Sequence, residues 1–114
     1  MVTDHDAFGY LAARYRIDVV GAAIPSTSTA AEPNAKDTAR LIDTIRAEGV
    51  CTVFSEKSVD PKLVRAIARE SGAEVSPDLY GDTLGPPGSD AATYVGMMRH
   101  NARALVAGFR RTCR

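Results

Sequence analysis

The chain alternates short apolar runs with longer segments of helical periodicity, and this alternation constrains the fold most. The apolar run 17–24 contains two consecutive valines, and the run 50–55 is rich in valine and threonine, which suits buried strands. Residues 73–75 are predicted to form another short strand, and residues 1–3 are predicted to be the end of a further strand. Right-handed crossovers between such strands carry helices onto the sheet faces. The sequence therefore predicts an α/β fold, with a small parallel sheet of three to four strands flanked by helices.

Capping residues indicate where the predicted helices begin and end. Asn34 is a strong N-cap, and Gly49 is placed to end the same helix in a left-handed conformation. Asp60 and Pro61 suit the start of the next helix, which Gly72 closes. Together with the apolar periodicity, these signals predict four helices, which cover residues 6–15, 34–49, 60–71 and 89–109.

The last predicted helix carries an apolar stripe that includes one polar residue. We expect its inner face to consist of Tyr94, Met97, Met98, Asn101, Leu105 and Phe109. If Asn101 is buried there, its amide must find hydrogen-bond partners. His100 lies off this stripe and is predicted to face solvent. The segment 81–88, with its glycines and prolines, is predicted to form a loop before the helix.

Size and charge limit the classes of function. The 114 residues predict a single domain, 1–114, and a hydrophobic content of 45% can form a core. Lys plus Arg equals Asp plus Glu, both 14, whereas proteins that bind nucleic acid usually carry a basic surplus. We therefore expect no nucleic-acid partner. The sequence shows no apolar run of membrane-spanning length and no signal peptide after Met1, which taken alone predicts a cytoplasmic location.

The two cysteines do not form a metal-binding or redox motif. Cys51 and Cys113 lie far apart in the sequence and make no CxxC pair. Cys51 sits in an apolar stretch and is expected to pack as a small hydrophobic residue. Cys113 lies at a terminus that we expect to fray, so a disulfide between the two is not predicted.

Polar residues follow the predicted strands at the edge where parallel sheets bind ligands. His5 follows the first strand, Glu32 lies in the loop after the second, and Glu56 and Asp82 follow the third and fourth. An imidazole with carboxylates suits Zn²⁺, Mn²⁺ or Fe²⁺. Plainer interpretations stay open at this point: His5 as a helix-cap or surface residue, and Asp82 as a turn former beside glycines.

Motifs for other chemistries are missing from the sequence. It contains no GxGxxG or P-loop pattern for phosphate binding and no GxSxG elbow for a serine hydrolase. An enzyme that uses His5 as a base and Asp82 to orient it would lack both a nucleophile and a cofactor motif. We therefore predict that the chain is not an enzyme.

Four motifs resemble, in order and in spacing, the C-terminal lobe of the zinc- and manganese-binding solute-binding proteins of ABC importers, the TroA-like or ZnuA-like (cluster 9) family. The match covers essentially the whole chain. The motifs are HDAFGYL at 5–11, AEPNAKD at 31–37, FSE at 54–56, and DTLG at 82–85 followed by the stripe of the last helix.

The resemblance implies roles for individual residues. His5 and Asp82 match metal ligands of the family. Glu32 and Glu56 match positions that support the loops near the cleft, and Tyr94 and Asn101 match helix residues that pack and bond against the sheet. It also implies that Zn²⁺ or Mn²⁺ is a transported ligand, that an ABC permease is the partner, and that the location is periplasmic or otherwise extracytoplasmic.

The chain departs from the family pattern at its N-terminus. Family members have a second, N-terminal lobe that supplies two further histidines, and a long helix joins the lobes; we expect this chain to lack both, together with most of the first strand. Two protein ligands would leave the remaining positions of the ion to water, and a lost strand would expose sheet edges. The alternative hypothesis is therefore a truncated, non-functional remnant or a small structural, self-associating α/β domain.

Overall fold

The computed structural model describes residues 1–28 and 30–113 and contains four strands and four helices in alternation. In chain order these are β1 (Val2–His5), α1 (Gly9–Tyr15), β2 (Gly21–Ile24), α2 (Ala35–Ala47), β3 (Thr52–Val53), α3 (Lys62–Ser71), β4 (Glu74–Val75) and α4 (Tyr94–Phe109). The predicted α/β fold is confirmed. Within the described residues, no helix has the length and apolar character needed to cross a membrane.

The strands are all parallel, and β1 lies in the middle of the sheet. β1 pairs with β2, and β3 pairs with β4. A parallel bridge between Thr3 and Phe54 joins the two pairs, with a 2.8 Å hydrogen bond from the Phe54 amide to the Val2 carbonyl. The strand order is therefore β2-β1-β3-β4. β1 is paired on both sides, so it covers the inner edges of β2 and β3, which were expected from the sequence to be exposed.

Local capping explains the helix boundaries. The Asn34 side chain accepts hydrogen bonds from two amides in the first turn of α2, as predicted. Gly49 and Gly72 have φ angles of 64° and 82°, the left-handed conformations expected after α2 and α3. Thr93 caps α4 by accepting from the Gly96 amide. The last helix therefore begins at Tyr94 rather than at Ser89, the start predicted from the sequence.

Two apolar clusters form the core, one on each face of the sheet. One joins the sheet to α2 and α3: Val2, Ala23, Leu41, Ile45, Val53, Val64, Ile67 and Ala68. The other joins it to α4 and the start of α1: Met1, Phe8, Phe54, Leu79, Ala104 and Leu105. Met1 and Val2 fall on opposite faces because successive strand side chains alternate. The sheet is thus held between two helical layers, and its strand ends remain open for a site.

The inner face of α4 differs from the predicted stripe at both ends. Met97, Asn101 and Leu105 are buried as expected, whereas Tyr94 is 67% exposed and Phe109 is 48% exposed. Tyr94 instead lines a surface groove between α1 and α4. Its predicted packing against the sheet is therefore wrong. A helical period gives the direction of a side chain, but it does not give the point along the helix at which the layer beneath it ends.

The two cysteines are joined, contrary to the sequence-based expectation. Cys51, just before β3, forms a disulfide with Cys113, just after α4. The Thr52 hydroxyl donates a 3.0 Å hydrogen bond to the Gly108 carbonyl nearby. These contacts bring the end of α4 to the start of β3, at the end of the sheet opposite the carboxyl ends of the strands. Sequence distance gave no sign of this proximity.

Candidate metal centre

His5 is the last residue of β1, and its ring is fully buried. Its Nδ1 lies 2.9 Å from Glu56 Oε2, and its backbone amide donates to the same oxygen at 2.9 Å. Its Nε2 has no hydrogen-bond partner among the described residues, although Asp82 Oδ2 lies only 3.4 Å away. This contact has the distance of an ion pair but lacks the geometry of a hydrogen bond. His5 thus points one unsatisfied nitrogen at a carboxylate.

Glu56 orients the His5 ring. A carboxylate oxygen beside Nδ1 favours the tautomer with the proton on Nδ1, which leaves the lone pair of Nε2 free to bind a cation. Burial raises the pKa of Glu56, and the hydrogen bonds from His5 oppose that rise. The other carboxylate oxygen, Oε1, has no partner among the described residues. Glu56 thus contacts both the ring and the backbone amide of His5, and the supporting role that the resemblance implied for it stays a prediction.

Asp4 holds the backbone of Glu56 through a hydrogen bond, a contact that was not predicted from the sequence. Asp4 Oδ2 accepts a 2.6 Å hydrogen bond from the Glu56 backbone amide. Burial raises the pKa of Asp4 to about 7, with the nearby Glu56 carboxylate adding to the rise. Its position in a predicted buried strand could have indicated a role for Asp4, because charged side chains are rarely buried without a partner.

Asp82 lies in the loop after β4, and its side chain is 49% exposed. Its Oδ2 accepts a long, 3.3 Å hydrogen bond from the Ser58 hydroxyl. A Cβ atom added at Gly81 would lie 3.2 Å from Glu56 Oε1, so glycine allows the loop to approach the buried carboxylate closely. With His5, Asp82 lines an open cleft whose other walls include Asp6, Ala7, Gly9, Tyr10, Ala13 and Thr27.

Asn101 holds the backbone two residues before Asp82. Its Nδ2 donates to the Tyr80 carbonyl at 2.8 Å, and its Oδ1 accepts from the Tyr80 amide at 2.9 Å. The buried amide thus finds the partners that its place on an apolar stripe required. Those partners belong to the loop that carries Asp82 rather than to the regular strands.

Three other sequence-based assignments differ from the structure. Glu32 is exposed and does not line the cleft that contains His5 and Asp82. Tyr94 lines the groove between α1 and α4 instead of packing against the sheet. His100 does not face solvent: its side chain is 23% exposed, and Nε2 lies 2.8 Å from the Asp78 carbonyl oxygen. The composition of a loop and the angular position on a helix do not show which distant backbone segment a side chain will meet.

Two side chains with potential ligand atoms converge in the cleft, with His5 Nε2 and Asp82 Oδ2 3.4 Å apart. Among the described residues there is no group of three or more His, Cys, Asp or Glu side chains arranged to hold a metal ion. His5 and Asp82 supply one nitrogen and one carboxylate, a donor set that suits zinc or manganese. Any cation held here would take its remaining ligands from water or from groups outside the described residues.

A family model and two relatives match most of this chain. The family model described as "ZnuA: Zinc-uptake complex component A periplasmic" matches residues 1–108. The zinc-binding protein TroA of Treponema pallidum (strain Nichols) is 35% identical over 116 residues, which cover 97% of this chain and 37% of that protein. The manganese-binding lipoprotein MntA of Bacillus subtilis (strain 168) is 34% identical, with coverage of 92% and 35%.

Solved structures agree with these matches. The periplasmic zinc-binding protein TroA from Treponema pallidum superposes with a TM-score of 0.89 at 34% identity, over 97% of this chain and 41% of that one. The laminin-binding protein Lmb of Streptococcus agalactiae superposes with a TM-score of 0.76 at 31% identity, over 96% and 41%. The chain therefore spans less than half the length of the relatives that it matches.

Proposed function

Because the chain belongs to the ZnuA family of periplasmic zinc-uptake components, we propose that it binds Zn²⁺ or Mn²⁺ through His5 and Asp82. The proposed role is that of the C-terminal lobe of a substrate-binding component of an ABC importer. The ion is cargo that is bound and released rather than a resident cofactor. We propose binding and not catalysis, in keeping with relatives whose names are those of metal-binding proteins.

The observation that carries this proposal is the unpartnered Nε2 of His5. A buried polar atom without a hydrogen bond costs about 1–3 kcal/mol, so a fold that retains one usually has a use for it. Nε2 lies 3.4 Å from Asp82 Oδ2. That distance is close to the separation of two ligand atoms across a tetrahedral zinc ion, roughly 3.3 Å for metal–ligand bonds near 2.0 Å.

The contact between His5 and Glu56 also supports metal binding by His5. Histidines that bind metals commonly donate their other ring nitrogen to a carboxylate, which fixes the ring and makes the metal-binding nitrogen more basic. Glu56 occupies that position at 2.9 Å from Nδ1, and Asp4 holds the Glu56 backbone in turn. The series of contacts from Asp4 to Glu56 to His5 therefore suits a ring that must present one nitrogen at a fixed angle.

We propose that residues 1–114 form one lobe and that further ligands come from a second, N-terminal lobe. The relatives are much longer than this chain, and two protein ligands leave a tetrahedral ion half coordinated. The same membership supports an extracytoplasmic location and a permease partner, since relatives include lipoproteins of metal ABC transporters. One His and one Asp suit zinc and manganese alike, so the identity of the cargo depends on the remaining ligands and on metal supply.

Equilibrium dialysis of the full chain against Zn²⁺ and Mn²⁺ tests the proposal. We expect measurable binding by the unmodified chain and a loss of at least about tenfold in affinity for His5→Ala and for Asp82→Asn, because each removes one of two protein ligands. Asp43→Asn, at an exposed position of α2, is the matched control and should leave the affinity unchanged. Equal binding by all four proteins would contradict the assignment of the site.

A further inference from the structure

The loop between β4 and α4, residues 76–93, carries Asp82 and is called the Asp82 loop below. It consists largely of turns and irregular backbone, and the Asp82 side chain is half-exposed. A ligand on an unrestrained loop must be ordered when the cation binds, and this ordering lowers affinity. The groups that hold the loop in the absence of metal therefore influence how tightly the cation is bound.

Two regions of the protein hold the first part of this loop. On the sheet side, the Leu79 amide donates to the Ser55 carbonyl and the Leu79 carbonyl accepts from the Lys57 amide, both at 2.8 Å. On the helix side, Asn101 of α4 bonds to both backbone groups of Tyr80. The backbone is thus restrained up to two residues before Asp82.

His100, next to Asn101 on α4, contacts the loop at three points. Its Nε2 lies 2.8 Å from the Asp78 carbonyl oxygen, and because a carbonyl only accepts, Nε2 carries the proton in this contact. Its ring meets the Tyr80 ring edge to face, with centroids 5.1 Å apart. Its Nδ1 lies 3.4 Å from Asp90 Oδ2, where the loop returns toward α4. The side chain therefore lies between the outgoing and the returning halves of the loop.

We propose that His100 is a positioning residue for the metal site: its hydrogen bond to Asp78 holds the Asp82 loop so that the carboxylate stays within reach of His5. This inference rests on the proposed metal-binding function and assigns a part of it to a residue that touches no ligand atom. The bond to Asp78 carries the effect, because it is short and partly buried. The contact with Asp90 is longer and involves a side chain that is 60% exposed, so it contributes little.

Two substitutions separate the hydrogen bond from the ring packing. His100→Phe keeps an aromatic ring against Tyr80 but removes the donor to Asp78. His100→Gln removes the ring but places an amide donor near the position of Nε2. Arg103→Gln, at an exposed position on the same helix, serves as the matched control. All are made in the full chain, and thermal unfolding of the metal-free proteins reports whether each variant folds.

Two measurements follow on the same samples. Zn²⁺ affinity is measured by competition with a chromophoric chelator, and the exchange rates of the Leu79 and Tyr80 amides are measured without metal. We expect His100→Phe to weaken Zn²⁺ binding about tenfold, the loss expected for one hydrogen bond, and to accelerate exchange of both amides by a similar factor. His100→Gln should stay within about threefold of the unmodified chain in both measurements.

The inference is overturned if His100→Phe matches the unmodified chain in both measurements, or if His100→Gln loses as much as His100→Phe. Absence of Zn²⁺ binding by the unmodified chain would overturn the proposed function, and with it the role of His100 toward the cation. That failure is distinguishable from failure of the loop contact itself, because the exchange rates are measured on metal-free protein and report directly on the loop.

Discussion

At the scale of single residues, the site depends on ionisable groups that are buried beside one another. Asp4, His5 and Glu56 are almost inaccessible to solvent, and they meet where β1 and the segment after β3 end. Burial disfavours a charged carboxylate, and the pKa values of Asp4 and Glu56 are raised accordingly. The fold tolerates this arrangement because backbone amides and the His5 ring supply hydrogen bonds to the carboxylates.

Asp4 makes the stability of the domain depend on pH. Its pKa rises from 3.8 to about 7 on folding, so between these values the folded state keeps a proton that the unfolded chain has released. The stabilisation associated with that proton is complete below about pH 4 and is lost as pH rises through 7. One such proton changes the free energy of unfolding by up to about 1.4 kcal/mol per pH unit.

Asp4→Asn tests this dependence. The variant retains an oxygen to accept from the Glu56 amide but cannot titrate, so its free energy of unfolding should fall less steeply between pH 4 and 7. Urea unfolding at pH 4, 5, 6 and 7 in the presence of a chelator measures the slope for both proteins. Glu56 titrates in both proteins, and because its carboxylate contributes to the raised pKa of Asp4, the difference in slope reports the titration of Asp4 together with its coupling to Glu56. Parallel slopes would show that Asp4 does not hold the proton.

At the scale of secondary-structure elements, close contact between α4 and β3 aligns the helix that holds the Asp82 loop. Phe54 and Phe109 pack edge to face with ring centroids 5.4 Å apart. Gly108 lies against the Phe54 ring, and a Cβ atom added there would come within 2.5 Å of it. The absence of a side chain at Gly108 therefore sets how near α4 approaches the sheet.

Gly108→Ala tests this packing. Alanine in a helix is normally favoured over glycine by about 1 kcal/mol, but here we expect a net loss of about 1–3 kcal/mol in the free energy of unfolding from overpacking against Phe54. Gly9→Ala in α1 is the control, since an added Cβ would have no heavy atom within 4 Å, and it should not destabilise the domain. Denaturant unfolding of the three proteins measures these changes. A Gly108→Ala variant as stable as the unmodified chain would refute the predicted overpacking against Phe54.

At the scale of the whole molecule, the disulfide and the candidate site lie at opposite ends of the sheet. The disulfide joins Cys51 to Cys113, across 62 residues of sequence, at the amino-terminal end of β3. His5 and Asp82 lie at the opposite, carboxyl ends of the strands. A crosslink of this kind stabilises a domain mainly by restricting the unfolded chain.

Replacing both cysteines by alanine should therefore lower stability without disturbing the site. We expect the free energy of unfolding to fall by about 2–4 kcal/mol, as measured by urea unfolding of the metal-free protein. The affinity for Zn²⁺ at a temperature where the variant is folded should stay within about threefold of the unmodified chain. A variant of unchanged stability, or one with a selective loss of Zn²⁺ binding, would contradict this separation.

The sequence by itself determined the features that local interactions control. Asn34 caps α2 through amides two and three residues away, and Gly49 and Gly72 adopt left-handed conformations that few other residues tolerate. The order of strands and helices also follows from the sequence, because periodicity is a local property. Since parallel strands end at one edge, their order predicted that His5, Glu56 and Asp82 would meet. The same rule placed Glu32 there too, but Glu32 is exposed and does not line the cleft.

Only the tertiary structure decided contacts between segments that are distant in sequence. The support of Glu56 by Asp4, the bond between His100 and the Asp78 carbonyl, and the disulfide are examples. The exposure of Tyr94 is another, because it depends on where a neighbouring layer ends. The physical reason is that such contacts depend on how whole elements pack, and no local periodicity or capping pattern carries that information.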